Sequence, residues 1–340
     1  MVERSTITQT AQIGVETTPG TAVAATKRLG SLGISLGPSI ETNAMRPIGQ
    51  KYPSLQILGK EWAEADLEGA PVYTELPYLF ASILGAPTVA AIMDGATATG
   101  ATRWTFNTNS FGADAFKTYT VEQGDASRAH RVTHGLISEL SFSYDREEVG
   151  IEGSMIARAL EDGITMTAAG VTQLPQIPVR PTEVSIYLDN TAAAAGTTKM
   201  LRVVSGEWSL GGDRFQPVWV VDAAQPSFVA VVEGEPDFEF TLTQMADAQG
   251  MANLIALRAG ATKFLQIKAV GPNIYTAGAG GTGLLVNHQM TITTAGQISD
   301  VGQFDDEDGI YGIEWTFGAV HDATWGRATQ VEVITTTSAL

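Results

Sequence analysis

Gly135-Leu136-Ile137-Ser138-Glu139, continuing to Tyr144-Asp145 and Gly150-Ile151-Glu152, recurs as Gly296-Gln297-Ile298-Ser299-Asp300, continuing to Phe304-Asp305 and Gly312-Ile313-Glu314. The second copy is one residue longer between its outer glycines, a slack that a hairpin turn absorbs. In the first copy Leu140, Phe142 and Tyr144 alternate with Glu139, Ser141 and Ser143. Beyond the charged turn Asp145 to Glu148 the apolar positions are Val149, Ile151, Met155, Ala157 and Ala159. In the second copy Tyr311, Ile313, Trp315, Phe317 and Ala319 hold one face while Glu314 and Thr316 hold the other. Period two marks a half-buried antiparallel pair, so both stretches read as one hairpin built twice.

Other segments repeat around this hairpin. Ile13-Gly14-Val15-Glu16, a turn through Thr17-Thr18-Pro19-Gly20 and Thr26-Lys27-Arg28-Leu29 answer to Ile186-Tyr187-Leu188-Asp189, a turn through Asn190 to Gly196 and Thr198-Lys199-Met200-Leu201. Ser35-Leu36-Gly37 matches Ser209-Leu210-Gly211, and Tyr52-Pro53-Ser54-Leu55 matches Gln225-Pro226-Ser227-Phe228. One helix follows in each half. Thr74 is placed as its N-cap, Leu76, Leu79, Phe80, Ile83 and Leu84 recur at helical spacing, and Gly85 with Pro87 stops it. Met251, Leu254 and Ile255 before Gly260 form the counterpart, and both stripes read as core.

The pattern predicts a mainly β chain of two tandem β-sandwich or half-barrel domains, each with one α-helix. Residues 1–28 hold an N-terminal arm and the first strand motif; the first domain runs over 13–165, with 87–114 as a surface insertion or long loop. A Pro-rich extended linker covers 166–183, the second domain 184–328, and a Thr-rich tail, read as a second arm, 329–340.

Composition narrows the functions. The 340 residues contain no cysteine, so disulfides and thiolate chemistry are excluded. Acidic residues outnumber basic ones for a net charge of −17, which repels phosphate and disfavours DNA binding. Met1-Val2-Glu3-Arg4-Ser5 lacks the apolar core of a secretory signal. The apolar run Leu76 to Met93 is broken by Pro77, Gly85 and Pro87, so no membrane-spanning helix is expected.

No motif points to catalysis. Gly278-Ala279-Gly280-Gly281-Thr282-Gly283 has the letters of a dinucleotide fingerprint, but Leu284 to Ile292 after it reads as a strand, not the required helix. Asp305-Asp306-Glu307-Asp308-Gly309 fails as a calcium loop, because Phe304 and Trp315 fall at two ligand positions. It reads as a charged turn. His130 and His134 sit four apart on a strand, roughly 13 Å, too far to share an ion. His288 and His321 have no motif around them, and no nucleophile elbow, Walker loop or His-Glu-x-x-His occurs. We expect no enzyme, no cofactor and no metal site.

Ile13-Gly14-Val15-Glu16-Thr17-Thr18-Pro19-Gly20-Thr21 with Ala24-Ala25-Thr26, then Arg46-Pro47-Ile48-Gly49 and Gly59-Lys60-Glu61-Trp62, together with the one-helix β domain, resemble the tail tube (major tail) proteins of long-tailed bacteriophages. The resemblance implies a β-sandwich flanked by a helix, whose sheets join between subunits into a barrel around a lumen, with rings stacked through an N-terminal arm and a loop. It implies a virion protein, assembled in the host cytoplasm, that forms the conduit for DNA ejection. Duplication implies a trimeric ring with pseudo-sixfold symmetry; a hexamer is the alternative. Tape-measure, terminator and tail-tip proteins are the implied partners, genomic DNA passes without specific binding, and no membrane is involved. The polar hairpin face, with Glu148, Glu152 and Glu314, is then expected to line the lumen, where negative charge keeps DNA from sticking; an outward, solvated face is the alternative. The rival function is a carbohydrate-binding or capsid-decorating β protein, which needs exposed aromatics, whereas Trp62, Trp104, Trp208, Trp219, Trp315 and Trp325 are scattered.

Overall fold

The computed structural model describes residues 9–125, 128–212, 214–222, 224–278, 283–307 and 309–340. The chain is mainly β. In order come β1 (Thr10–Val15), β2 (Lys27–Leu29), β3 (Leu32–Met45), β4 (Leu55–Gly69), α1 (Leu76–Ile83), β5 (Thr88–Asp94), β6 (Thr97–Asn107), β7 (Tyr119–Gly124), β8 (Ala129–Tyr144), β9 (Val149–Ala157), β10 (Glu161–Ile164) and β11 (Thr172–Gln173). Then follow β12 (Val184–Asp189), β13 (Val203–Gly211), β14 (Phe215–Val218), β15 (Ala230–Glu233), β16 (Asp237–Met245), α2 (Ala248–Ala259), β17 (Lys263–Thr276), β18 (Leu285–Val301), β19 (Asp305–Glu307), β20 (Ile310–Ala319) and β21 (Thr329–Thr335). The sheets form an open, sandwich-like arrangement.

The repeated hairpin is present in both places. β8 pairs with β9 and β18 with β20, each antiparallel. Within this pairing each β8-type strand carries one bulge, at Ser138 and at Ser299, and each of these hydroxyls donates to the carbonyl across it, Ser154 at 3.3 Å and Thr316 at 3.2 Å. The extra residue of the second copy is not in the turn. Ser143 faces Gly150 and Asp305 faces Gly312, while Gln303 and Phe304 bow out of the ladder, so the slack is a strand irregularity.

Pairing runs in the same order through both halves. β3–β4–β9–β8–β7–β1 in the first corresponds to β13–β16–β20–β18–β17–β12 in the second. Register also agrees: Leu136, Ile156, Glu64 and Gly37 lie in line across four strands, as do Gln297, Gly318, Glu239 and Ser209. This ladder sets Gly37 against Ser209, two residues away from the register that the Ser-Leu-Gly match suggests. A short match between Ser-Leu-Gly triplets is weaker than a ladder fixed by many hydrogen bonds.

Between the halves β13 pairs with β8, Trp208 opposite Phe142 and Leu210 opposite Leu140, so one sheet continues from β3 to β18. Its inner face and α1 share one core. All eight residues of α1 are buried, and Phe80 meets Phe106, Phe142 and Trp208 with ring centroids 5.6–6.3 Å apart. A helix apolar on every side is stable only when enclosed, and each such buried Leu or Phe stabilises by about 1.5–3 kcal/mol. Thr74 does not cap it. Its hydroxyl donates to the carbonyl of Pro175 in the linker, and Glu75 at the N-cap position receives Gly30 N at 2.9 Å and Ser31 Oγ at 2.7 Å. α2 is more open: Met251 and Leu254 are partly buried, but Ile255 is 71% exposed, so its stripe is only partly core.

Several segments are more ordered than their composition predicts. The insertion is a hairpin, β5–β6, and β6 pairs with β21. The tail is therefore not an arm: β21 lies between β6 and β18 with Val331 and Val333 fully buried. Of the N-terminal arm, residues 1–8 lie outside the described residues, and the chain is already strand at Thr10. The linker is extended, yet fastened to the first half by Tyr73 N to Ile177 O at 3.0 Å and Val179 N to Pro71 O at 2.8 Å.

Glu16 explains the turn that follows β1. Its buried carboxylate accepts hydrogen bonds from Gly20 N (2.7 Å), Thr118 Oγ1 (2.8 Å), Thr120 Oγ1 (3.0 Å) and His134 N (2.9 Å). Gly20 has φ 78°, which suits glycine. Asp189, at the end of β12, does the same for its own turn, receiving Gly196 N (2.9 Å), Thr197 Oγ1 (2.9 Å) and Thr198 N (3.1 Å).

Candidate functional site

The outer face of the continuous sheet is acidic because of how its strands alternate. Along β4, Ala63, Ala65 and Leu67 point into the core and Glu64, Asp66 and Glu68 point out. Phe238 and Phe240 of β16 are buried while Asp237 and Glu239 are exposed; Trp208 of β13 is buried while Glu207 is exposed. A trough of about 740 Å³ on this face is lined by Asp66, Glu68, Glu139, Glu152, Glu207, Asp237 and Glu239, with no basic side chain. It adjoins a second trough lined by Glu148, Glu207 and Glu314.

Glu148, Glu152 and Glu314 thus lie on one face, and Asp66, Glu68, Glu139, Asp145, Glu207, Asp237 and Glu239 line the same two troughs. Glu68 and Glu152 stand directly opposite each other on β4 and β9. Like charges in that position destabilise a sheet, so stability alone does not account for the arrangement. The carboxylates are spread along strands: among the described residues no three His, Asp or Glu side chains gather as a metal site. The signal for the additional acids was the strict alternation in Glu64-Ala65-Asp66-Leu67-Glu68 and in Asp237-Phe238-Glu239-Phe240.

Two strand borders of this sheet are open. β3 pairs with β4 on one side, and among the described residues no strand pairs with its other side. On β18, residues 298–301 pair with β20 but, among the described residues, with no strand on the far side. These borders are the counterparts of β13 and of the end of β8, which pair with each other inside the chain.

A third feature breaks the likeness between halves. From Ser39 opposite Trp62 to Met45 opposite Leu55, the β3–β4 hairpin projects from the body, with Ile48, Leu58 and Tyr52 exposed. The corresponding segment between β13 and β16 forms the β14–β15 pair, and the strap between those strands folds back onto the first half. Arg158 donates to Phe228 O (3.0 Å) and Val229 O (2.8 Å), and Trp219 meets Trp62 edge-on at 5.8 Å. Arg214 anchors the same excursion. It is 1% exposed, donates to Glu233 at 2.7 Å and to the Ile83 carbonyl at the end of α1, and lies 3.5 Å from Asp114. Burial pushes the Asp114 carboxyl upward, with Glu233 adding to the shift and Asn109 N and Arg214 opposing it.

The other sites read from the sequence resolve as structure. His134 sits in a bulge of β8 at φ 56°, buried, its ring 5.2 Å from Phe228; burial, then Arg158, pull its pKa down to about 4 against Glu16. His130 meets Asp162 at 2.8 Å. His288 is buried beside Tyr73 and burial lowers its pKa. His321 lies against Ser110 and Phe111. Gly278 to Gly283 joins β17 to β18; residues 279–282 lie outside the described residues, and a strand follows, as the spacing predicted. Asp305 to Gly309 leads from β19 into β20; Asp308 lies outside the described residues. Trp104, Trp208 and Trp315 are buried core residues. No helix among the described residues is long and apolar enough to cross a membrane.

Fold and face together define a structural β protein with open sheet borders and an acidic exposed surface. The chain belongs to the phage tail tube protein family: the model of that family, described as "Phage tail tube protein", matches residues 6–214, more than half of the chain. No curated protein matches it. It is a structural protein of the virion tail, of a family that polymerises into a tube.

Proposed function

We propose that the chain carries two fused copies of a tube domain, over 13–165 and 184–328, and that three chains close head to tail into a pseudo-sixfold ring. The observation that carries this is the β8–β13 ladder. One copy already docks on the other through these strands, and the borders left open, β18 and β3, are the same two strands of the opposite copies. A heterologous contact of this kind closes into a ring when its rotation permits. The equal pairing order, the matched Ser138 and Ser299 bulges and the Glu16 and Asp189 turns support the fusion.

In the ring the acidic face turns to the bore, and Glu148, Glu152 and Glu314, with Glu68 and Glu207, repel the phosphates of DNA during ejection. The cost of setting Glu68 against Glu152 supports a use for that charge. Rings stack through the projecting β3–β4 hairpin and the N-terminal arm. Tape-measure, terminator and tip proteins meet the two ends of the tube, and assembly takes place in the host cytoplasm. The role is structural, with no catalytic step.

Charge reversal tests the lumen assignment. Tubes assembled from Glu68→Lys, Glu152→Lys, Glu207→Lys chains are expected to retain labelled double-stranded DNA that wild-type tubes release, with retention lost at high salt. Release from the variant tubes as fast as from wild type places the acids elsewhere.

A further inference from the structure

The open border of β3 is occupied, in the single chain, by one side chain. Gln123 of β7 donates from Nε2 to Ile34 O and accepts Leu36 N at Oε1, 3.2 Å away. Residues of one parity on a strand turn their N–H and C=O to the same side, so these bonds identify 34 and 36, and hence 38, as the positions facing away from β4. Position 38 is Pro38, which has no N–H to offer there. The border is therefore blunted twice, by an amide laid across it and by a proline, both recognised means of keeping an edge from indiscriminate pairing.

The internal joint shows what the border is shaped to receive. On β13 the positions equivalent to Ile34, Leu36 and Pro38 are Gly206, Trp208 and Leu210, and they pair with Tyr144, Phe142 and Leu140 of β8. Leu140 is equivalent to Val301. No such amide lies across β13, because β8 is there. The main chain of Gln123 is held between Ala11 and His130 in the β1–β7–β8 ladder. Only its side chain has to turn for the border to open.

We propose that Gln123 is a displaceable cap: its carboxamide holds the hydrogen-bonding positions of Ile34 and Leu36 until a second copy of this chain brings its segment 301–306 alongside β3, with Val301 facing Pro38. The proposal rests on the head-to-tail assembly above and adds a control on when it starts. A free chain is guarded against stray strand pairing, and a growing ring displaces the guard.

The test compares wild type with Gln123→Ala and Gln123→Glu, following assembly by light scattering and electron microscopy across protein concentration. The glutamate keeps an acceptor for Leu36 but sets an oxygen against Ile34 O, so it is expected to behave as the alanine does. Both variants are expected to form tubes with a shorter lag and at a concentration about two- to tenfold lower than wild type, the range set by one ordinary hydrogen bond. In dilute, unassembled protein the Leu36 amide is expected to exchange faster in both variants, with the rest of the β3–β4 ladder unchanged, which reads the cap separately from the fold. Wild-type tubes with variants that need equal or higher concentration overturn the cap and leave the assembly reading intact. A wild-type chain that forms neither rings nor tubes overturns the assembly reading and the cap with it.

Discussion

Glu16 and Asp189 show how a single carboxylate fixes a local fold. Each sits at the end of a strand and accepts several buried donors, Asp189 from its own turn and Glu16 from Gly20 of its turn and from Thr118, Thr120 and His134 farther along the chain, so replacing one carboxylate oxygen with an amide NH2 sets a donor against donors. Asp189→Asn and Glu16→Gln are each expected to lower stability by about 1–3 kcal/mol, measured as a shift in the denaturant midpoint of the unassembled chain. Burial works to raise the pKa of Asp189, but the bonds from Thr198 and Thr197 outweigh it and the net shift is downward. Its contribution is thus complete above the ordinary value of 3.8 and is lost as pH falls through the lower, folded value. His134 acts in a different window. The unfolded chain takes up its proton near pH 6.5 and the folded chain only near 4, so between those values unfolding binds a proton and stability falls on acidification. The loss is expected to reach roughly 1–3 kcal/mol by pH 4. His134→Asn, which tolerates the left-handed backbone and does not titrate, is expected to flatten that slope in melts from pH 7.5 to 4.5. A slope unchanged in the variant assigns the effect to other groups.

Elements divide into those the sequence could show and those it could not. The alternation in Leu140-Ser141-Phe142-Ser143-Tyr144 and the apolar spacing of Leu76, Leu79, Phe80 and Ile83 are local signals, and β8 and α1 follow them. The insertion at 87–114 and the tail from 329 look like loop and arm because their partners are far away in sequence: β6 and β21 become strands by pairing with each other, Trp104 opposite Val333. The same limit hid most of the acidic face, which needs six strands laid side by side before its charges meet. Thr74 misled because a capping residue type is recognised by its neighbours in sequence, and its actual partner is in the linker. Arg214 had no sequence signal at all, yet it joins β14–β15 to the end of α1 and to Asp114. Removing the guanidinium leaves Glu233 and Asp114 without their cation, so Arg214→Ala is expected to cost about 3–5 kcal/mol by chemical denaturation. A loss below about 1 kcal/mol would mean that this excursion is held by Phe215, Phe228 and Trp219 instead.

At the scale of the whole chain, one sheet runs from an open β3 to an open β18, apolar inside and acidic outside, and in the proposed assembly the joint in its middle is the pattern for a joint between molecules. The repeat of Gly135 to Glu152 was enough to suggest two copies. What it could not convey is that both halves share a core around α1 and that only the first extends its β3-type hairpin, so that the proposed ring of three chains would carry three projecting hairpins, not six. The most direct measurement is a cryo-electron microscopy reconstruction of tubes grown from the purified chain. Three chains per ring are expected, with β3 of each paired with β18 of the next and with Glu148, Glu152 and Glu314 pointing into the bore. Six chains per ring, or those glutamates on the outer wall, would contradict the proposed assembly.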